Sequence, residues 1–194
     1  MDKFSSLLTD YLLKSGVIEE EYYEIYQYGL LTGTEMLICI ITCYLIAIQM
    51  GMFGICTLSL AILFCLRSFV GGLHLQNFKA CYICSCLAVI LILLAAQNLR
   101  IPRFYSLIIV IIEVFVIASV SPVENVNRPV DDNEKKTFSK RIKIILDIIF
   151  VLSIIFYILN LNRYLNTVTY TLGIVLVSML LGKAKIIFQK VRVE

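Results

Sequence analysis

The sequence predicts an all-α, polytopic membrane protein of about six transmembrane helices, preceded by an amphipathic helix at the membrane interface. Three observations carry that prediction. Hydrophobic residues make up 60% of the chain and charged residues 16%, with a mean hydropathy of +0.89, whereas a soluble domain is about 25% charged. The apolar residues gather in six runs. The Lys and Arg side chains fall between those runs in a one-sided pattern that reads as membrane topology.

The elements follow in order. Phe4, Leu7, Leu8, Tyr11 and Leu12 recur at helical spacing, with Asp2, Lys3, Ser6 and Asp10 elsewhere on the wheel and Gly16 as a stop. That stripe suits a helix lying in the interface plane, and equally a short helix capping the bundle. Tyr22, Tyr23, Tyr26 and Tyr28 read as aromatic-belt residues leading into the bilayer. Residues 1–34 are thus an interfacial segment. No secretory signal is expected, because residues 1–35 carry seven acidic side chains and no h-region.

The six apolar runs are 36–49, 52–70, 80–96, 104–120, 144–159 and 165–181. Several fall short of the ~20 residues a helix needs to cross the hydrocarbon core, so flanking residues must be recruited or the bilayer thinned. Between the first two, Gln49-Met50-Gly51 must turn tightly. Residues 121–143, with Pro122 and Pro129, read as a loop of six basic and four acidic side chains. Its net charge of +2 does not justify a polyanion site. Its lysines, including Lys135, Lys136 and Lys140, serve as a topology signal, or else contact an acidic substrate segment or lipid headgroups. Residues 1–194 read as a single membrane domain without internal repeats.

With the N-terminus inside, fourteen of the seventeen Lys and Arg residues fall on the cytoplasmic side, leaving only Arg100, Arg103 and Arg163 outside. This asymmetry supports an even number of spans and cytoplasmic termini. The net charge of only +3, in short clusters, excludes nucleic acid as a partner. Glu113 and Asp147 lie within spans, where ionisable groups are expensive. Gly29-x-x-x-Gly33 and Ser178-x-x-x-Gly182 are small-residue pairs that permit close helix packing, so a homodimer stays open.

The residues that can carry chemistry lie between the second and third runs. Arg67 precedes Gly71-Gly72, the chain's only histidine, His74, and then Cys81. A thiol attacks an amide carbonyl as thiolate and needs a cationic neighbour or a helix N-terminus. Cys81 opens the third run and His74 can pair with it. On a continuous helix the seven-residue interval rises about 10.5 Å, too far for a direct hydrogen bond. The chain should therefore bend between them, and Gly71-Gly72 permit that bend. The spacing places His74 on the bent loop and Cys81 in the first turn of the following helix. Arg67 either binds a carboxylate or ties the loop, or it is a snorkelling topology residue.

The seven cysteines are an odd number in or beside apolar runs, which is not a disulfide framework; most read as small apolar fillers. Cys81-Tyr82-Ile83-Cys84 is also a C-x-x-C, so a membrane thiol oxidoreductase is a rival reading. A zinc shell fits poorly with a single histidine. Neither metal nor cofactor is expected.

Arg67, Gly71-Gly72, His74 and Cys81, with Ser121-Pro122-Val123-Glu124-Asn125-Val126-Asn127-Arg128-Pro129 and the basic run after it, resemble the accessory gene regulator B (AgrB) family of Gram-positive bacteria. The similarity spans most of the chain. It implies a membrane cysteine endopeptidase that cuts the C-terminal tail from a short propeptide, AgrD, and helps cyclise the remainder into an autoinducing peptide for quorum sensing. Cys81 then matches the family nucleophile and His74 its catalytic partner, with Arg67, Gly71 and Gly72 in supporting positions. Attack by Cys81 gives a peptidyl thioester, which a cysteine of the substrate displaces as a thiolactone, or a serine as a lactone. A non-enzymatic peptide exporter is the remaining alternative. Such a protein sits in the cell membrane among its lipids, with the active site near the cytoplasmic face.

Overall fold

A computed structural model describes residues 2–70, 78–120 and 132–191. Among them are seven α-helices and no strand: α1 (Asp2–Lys14), α2 (Tyr23–Gln49), α3 (Phe53–Val70), α4 (Phe78–Asn98), α5 (Arg103–Val120), α6 (Asp132–Ile158) and α7 (Asn162–Val191). A turn of 3-10 helix at Glu20–Tyr22 leads into α2. Five stretches are long and apolar enough to cross a membrane: Glu20–Gln49, Phe53–Val70, Ala80–Asn98, Arg103–Val120 and Asn162–Ala184. The sixth apolar run lies in α6, which packs against α3, α5 and α7. Lys140, Arg141, Lys143 and Asp147 shorten its uninterrupted apolar part. The chain is a helical membrane protein.

The helices outrun the apolar runs that mark them. α2 begins at Tyr23 rather than near residue 36, and α6 at Asp132 rather than near 144, so residues 132–143 are helix, not loop. Hydropathy marks only the part of a helix in lipid, whereas the backbone ladder continues until something breaks it. No proline interrupts either extension. α3 and α5 remain at 18 residues, about 27 Å, close to the ~30 Å hydrocarbon thickness.

The short connections are closed by helix C-caps. Gly51 has φ +64°; its N–H donates to the Ile48 carbonyl at 3.0 Å and the Met52 N–H to Ala47 at 2.8 Å. This is a Schellman motif, and its left-handed residue is the reason glycine stands in the tight turn. Gly16, at φ +70°, ends α1 in the same way, and Asn160 at φ 56° ends α6.

Two apolar clusters meet along α3. One joins Leu66 and Val70 to Val110, Ile117, Leu146, Leu172 and Met179 of α5, α6 and α7. The other joins Met52, Cys56 and Leu60 to Cys43 and Ala47 of α2 and to Val89 and Leu93 of α4. α7 is the most buried of the five membrane-length stretches and α2 the least. It also carries the buried polar residues Asn166, Thr167, Thr169 and Thr171. In lipid such groups must be satisfied within the protein. Ser106 Oγ donates to Asn166 Oδ1 at 2.7 Å and lies 2.9 Å from Thr169 Oγ1, while Thr167 and Thr171 bond to carbonyls four residues back. Phe115, Ile148, Leu180 and many other aliphatic and aromatic side chains are exposed around the bundle, as a lipid solvent allows.

α1 packs against the start of α2, where Ser5 Oγ donates to the Gln27 carbonyl at 2.7 Å and Tyr23 OH to Asp10 Oδ1 at 2.7 Å. Its buried face is Ser5 and Thr9; Leu7, Leu8 and Tyr11 are exposed. Leu7, Leu8 and Tyr11 therefore face away from the protein, which suits an interfacial helix, while Leu12 is half-buried. An added Cβ at Gly29 or Gly33 meets nothing within 4 Å, so that strip of α2 is uncovered by its own chain.

α3, α5 and α7 begin at one end of the bundle, where Tyr164 lies against Gly54 and Ser106 bonds Asn166. α4 and α6 return to that end: the Leu99 carbonyl accepts from Tyr170 OH at 3.1 Å, and Phe156 lies 5.6 Å from Tyr164. Arg100, Arg103 and Arg163 all belong to this end, with Arg103 over the Tyr157 ring at 5.4 Å. The last turn of α3 and the first turns of α4 and α6 belong to the opposite end.

Candidate functional site

Cys81 is the fourth residue of α4, in its first turn, and half-buried. The opening N–H groups of a helix favour a thiolate or a developing oxyanion placed beside them, and Cys81 stands near the start of α4 as described. α3 has ended at Val70. The two helices are therefore separate and pack side by side, with Cys81 at the mouth of the connection between them. Gly71, Gly72 and His74 lie outside the described residues.

Arg67 is exposed in the last turn of α3, and its Nη1 donates to Ser85 Oγ on α4 at 3.4 Å. Ser85 stands one turn beyond Cys81, about 6 Å along the helix and nearly on the same face. The guanidinium thus ties α3 to the face of α4 that carries the thiol. Thr42 Oγ1 lies 2.9 Å from Tyr82 OH and fastens α2 to the same turn of α4.

α6 brings positive charge to this end. The Phe69 ring of α3 lies 6.1 Å from Phe138, and the Arg141 guanidinium sits 5.5 Å from the Phe69 centroid. Lys140 beside it is exposed, and Lys135 and Lys136 belong to the first turns of the same helix. Lys140 and Arg141 therefore bring positive charge to the end of the bundle that holds Cys81.

All seven cysteines are free thiols. Cys84, one turn after Cys81, is exposed. Cys43 and Cys56 are buried, and the Cys56 thiol donates to the Cys43 carbonyl at 3.7 Å. Sequence reasoning missed a convergence: the sulfurs of Cys39, Cys43 and Cys86 lie within 4.8 Å of one another. The i, i+4 spacing of Cys39 and Cys43 was visible, but the register of α2 against α4 was not. Of the two acids in the spans, Asp147 is exposed on α6. Glu113 is buried between α5 and α7, with Oε1 3.2 Å from where a Gly173 Cβ would stand and Oε2 without a hydrogen-bond partner.

The comparisons with known proteins agree on one group. A family model described as Accessory gene regulator B matches residues 5–182. A "Putative AgrB-like protein" of Clostridium perfringens (strain SM101 / Type A) is 26% identical over 196 residues, covering 95% of this chain and 88% of that protein. No solved structure matches.

Proposed function

The chain belongs to the Accessory gene regulator B family, and from that premise we propose that it is a membrane cysteine endopeptidase acting on a short quorum-sensing propeptide. Membership itself carries a role in the agr quorum-sensing system. The enzyme removes the C-terminal tail of an AgrD-like substrate and promotes cyclisation of the remainder to a thiolactone or lactone. The observation that carries this reading is the place of Cys81, in the first turn of α4 at the end of the bundle where Arg67 and the basic turns of α6 meet.

His74 takes the thiol proton, and the Cys81 thiolate attacks the scissile carbonyl. The oxyanion forms against the free N–H groups that open α4. As the C–N bond breaks, the imidazolium returns its proton to the leaving amine of the tail, and the peptide stays on Cys81 as a thioester. A substrate cysteine or serine then displaces Cys81. Thiol exchange conserves the acyl bond energy, and an intramolecular nucleophile has an effective concentration that outcompetes water. Arg67, Gly71 and Gly72 take the supporting roles, while Lys135, Lys136 and Lys140 receive an acidic segment of the substrate. In this reading this end and both termini face the cytoplasm, which the distribution of basic residues supports.

Co-expression of the propeptide with Cys81→Ala or His74→Ala is expected to abolish tail removal while the protein still reaches the membrane. Cys84→Ser retains cleavage. Full cleavage by Cys81→Ala overturns the proposal, and loss of cleavage in both Cys81→Ala and Cys84→Ser, with a reductant-sensitive disulfide between them, favours the oxidoreductase instead.

A further inference from the structure

We propose that Cys39, Cys43 and Cys86 form a three-sulfur site for a soft metal cation, Cu(I), inside the bundle. Cys39 and Cys43 occupy one face of α2 at i, i+4, and Cys86 faces them from α4. Their sulfurs all lie within 4.8 Å of one another, and Cys39 Sγ is 4.0 Å from Cys86 Sγ. A metal bound to three sulfurs in a plane at ~2.3 Å holds them about 4.0 Å apart, so little movement is required. The site lies at the edge of the apolar core: Cys43 is 1% exposed and Cys86 9%, both in the cluster with Ala47, Met52 and Val89, and half-buried Cys39 packs against that cluster.

The donor set selects the ion. Thiolates favour Cu(I) over the hard cations that prefer oxygen. Structural zinc requires a closed four-ligand shell, and the next thiol, Cys56, is turned to the Cys43 carbonyl. Three-coordination suits Cu(I). Each ligating thiol loses its proton to solvent as a Cu–S bond forms. The anionic cluster that results has a counter-charge nearby, because Arg67 is bonded to Ser85, the residue before Cys86. None of the three sulfurs is the proposed nucleophile, so the site stands apart from the peptidase reading.

The test uses the full chain in detergent, reduced and loaded anaerobically with Cu(I), then challenged with a bathocuproine chelator. About one copper per chain is expected to resist removal, and X-ray absorption at the copper edge should show three sulfurs at ~2.3 Å. Cys39→Ser, Cys43→Ser and Cys86→Ser should each lower retention by at least about tenfold, while Cys65→Ser and Cys84→Ser, at exposed thiols, leave it unchanged. The absorption measurement on the unsubstituted chain decides even if a variant fails to fold. Complete loss of copper to the chelator, a shell of nitrogen, oxygen or fewer than three sulfurs, or undiminished retention by the triple serine variant overturns the proposal.

Discussion

Leu172→Ala probes how this bundle is held together. Leu172 is fully buried on α7, packed with Leu66, Val110, Ile117 and Leu146. In a water-soluble core the same truncation costs about 2.7–5.0 kcal/mol, of which about 2.4 is the transfer of three carbons out of water at ~0.8 kcal/mol each. In a bilayer the separated helices remain in lipid, so that transfer contribution largely vanishes and the lost packing remains. The difference is about 0.3–2.6 kcal/mol, and 1–2 kcal/mol is the expected loss. Leu180, on the same helix but 57% exposed, is the control, and its truncation should change stability by less than about 0.5 kcal/mol. Titration with SDS in mixed micelles, followed by far-UV circular dichroism, measures both. A larger loss at Leu180 than at Leu172 refutes the orientation of α7. A loss at Leu172 above about 4 kcal/mol refutes the argument that lipid replaces water as the reference solvent.

Gly51→Ala should destabilise the α2–α3 turn by about 1–2 kcal/mol, because an added Cβ meets no neighbour but the φ of +64° is left-handed; an unchanged melting temperature in detergent contradicts this. Ser106→Ala removes the donor to Asn166 and the contact with Thr169, and should cost about 0.6–1.7 kcal/mol in the same SDS assay. A neutral result would mean that the pair is satisfied elsewhere. Joint replacement of Lys135, Lys136 and Lys140 by Gln should raise KM for an acid-tailed propeptide with little change in kcat, and the difference should shrink as salt rises. An equal effect on a substrate with a neutralised tail contradicts the assigned contact.

Much of the architecture was legible because lipid imposes a simple rule on sequence. Each apolar run matches a helix to within a residue at its ends or lies inside one, and the charge asymmetry anticipated that Arg100, Arg103 and Arg163 would gather at one end. The ends of α2 and α6 were not legible, since hydropathy stops at the membrane surface while backbone hydrogen bonding does not. α1 was legible as a helix but not in its packing: Ser5 and Thr9 are its buried residues against α2, while Leu7 and Leu8 are exposed. In a bilayer small polar residues make the close contacts and apolar faces are left to lipid. For the site, the helix-rise argument expects Cys81 in a first turn; the described part of α4 runs from Phe78, and His74 with the glycine pair lies outside the described residues. The Arg67–Ser85 tie and the docking of Phe138 and Arg141 on Phe69 depend on how helices far apart in sequence align, which no local pattern encodes. The same holds for the convergence of Cys39, Cys43 and Cys86.

The central claim is that Cys81 carries the peptide as a thioester. A propeptide whose cyclising cysteine or serine is replaced by Ala cannot displace the enzyme, so the acyl intermediate should accumulate. Mass spectrometry of the protein incubated with that substrate should find the N-terminal portion of the propeptide attached to Cys81, released by hydroxylamine, with the C-terminal tail free in solution. Attachment at Cys84, or tail release from the same substrate with no adduct at any cysteine, contradicts the account.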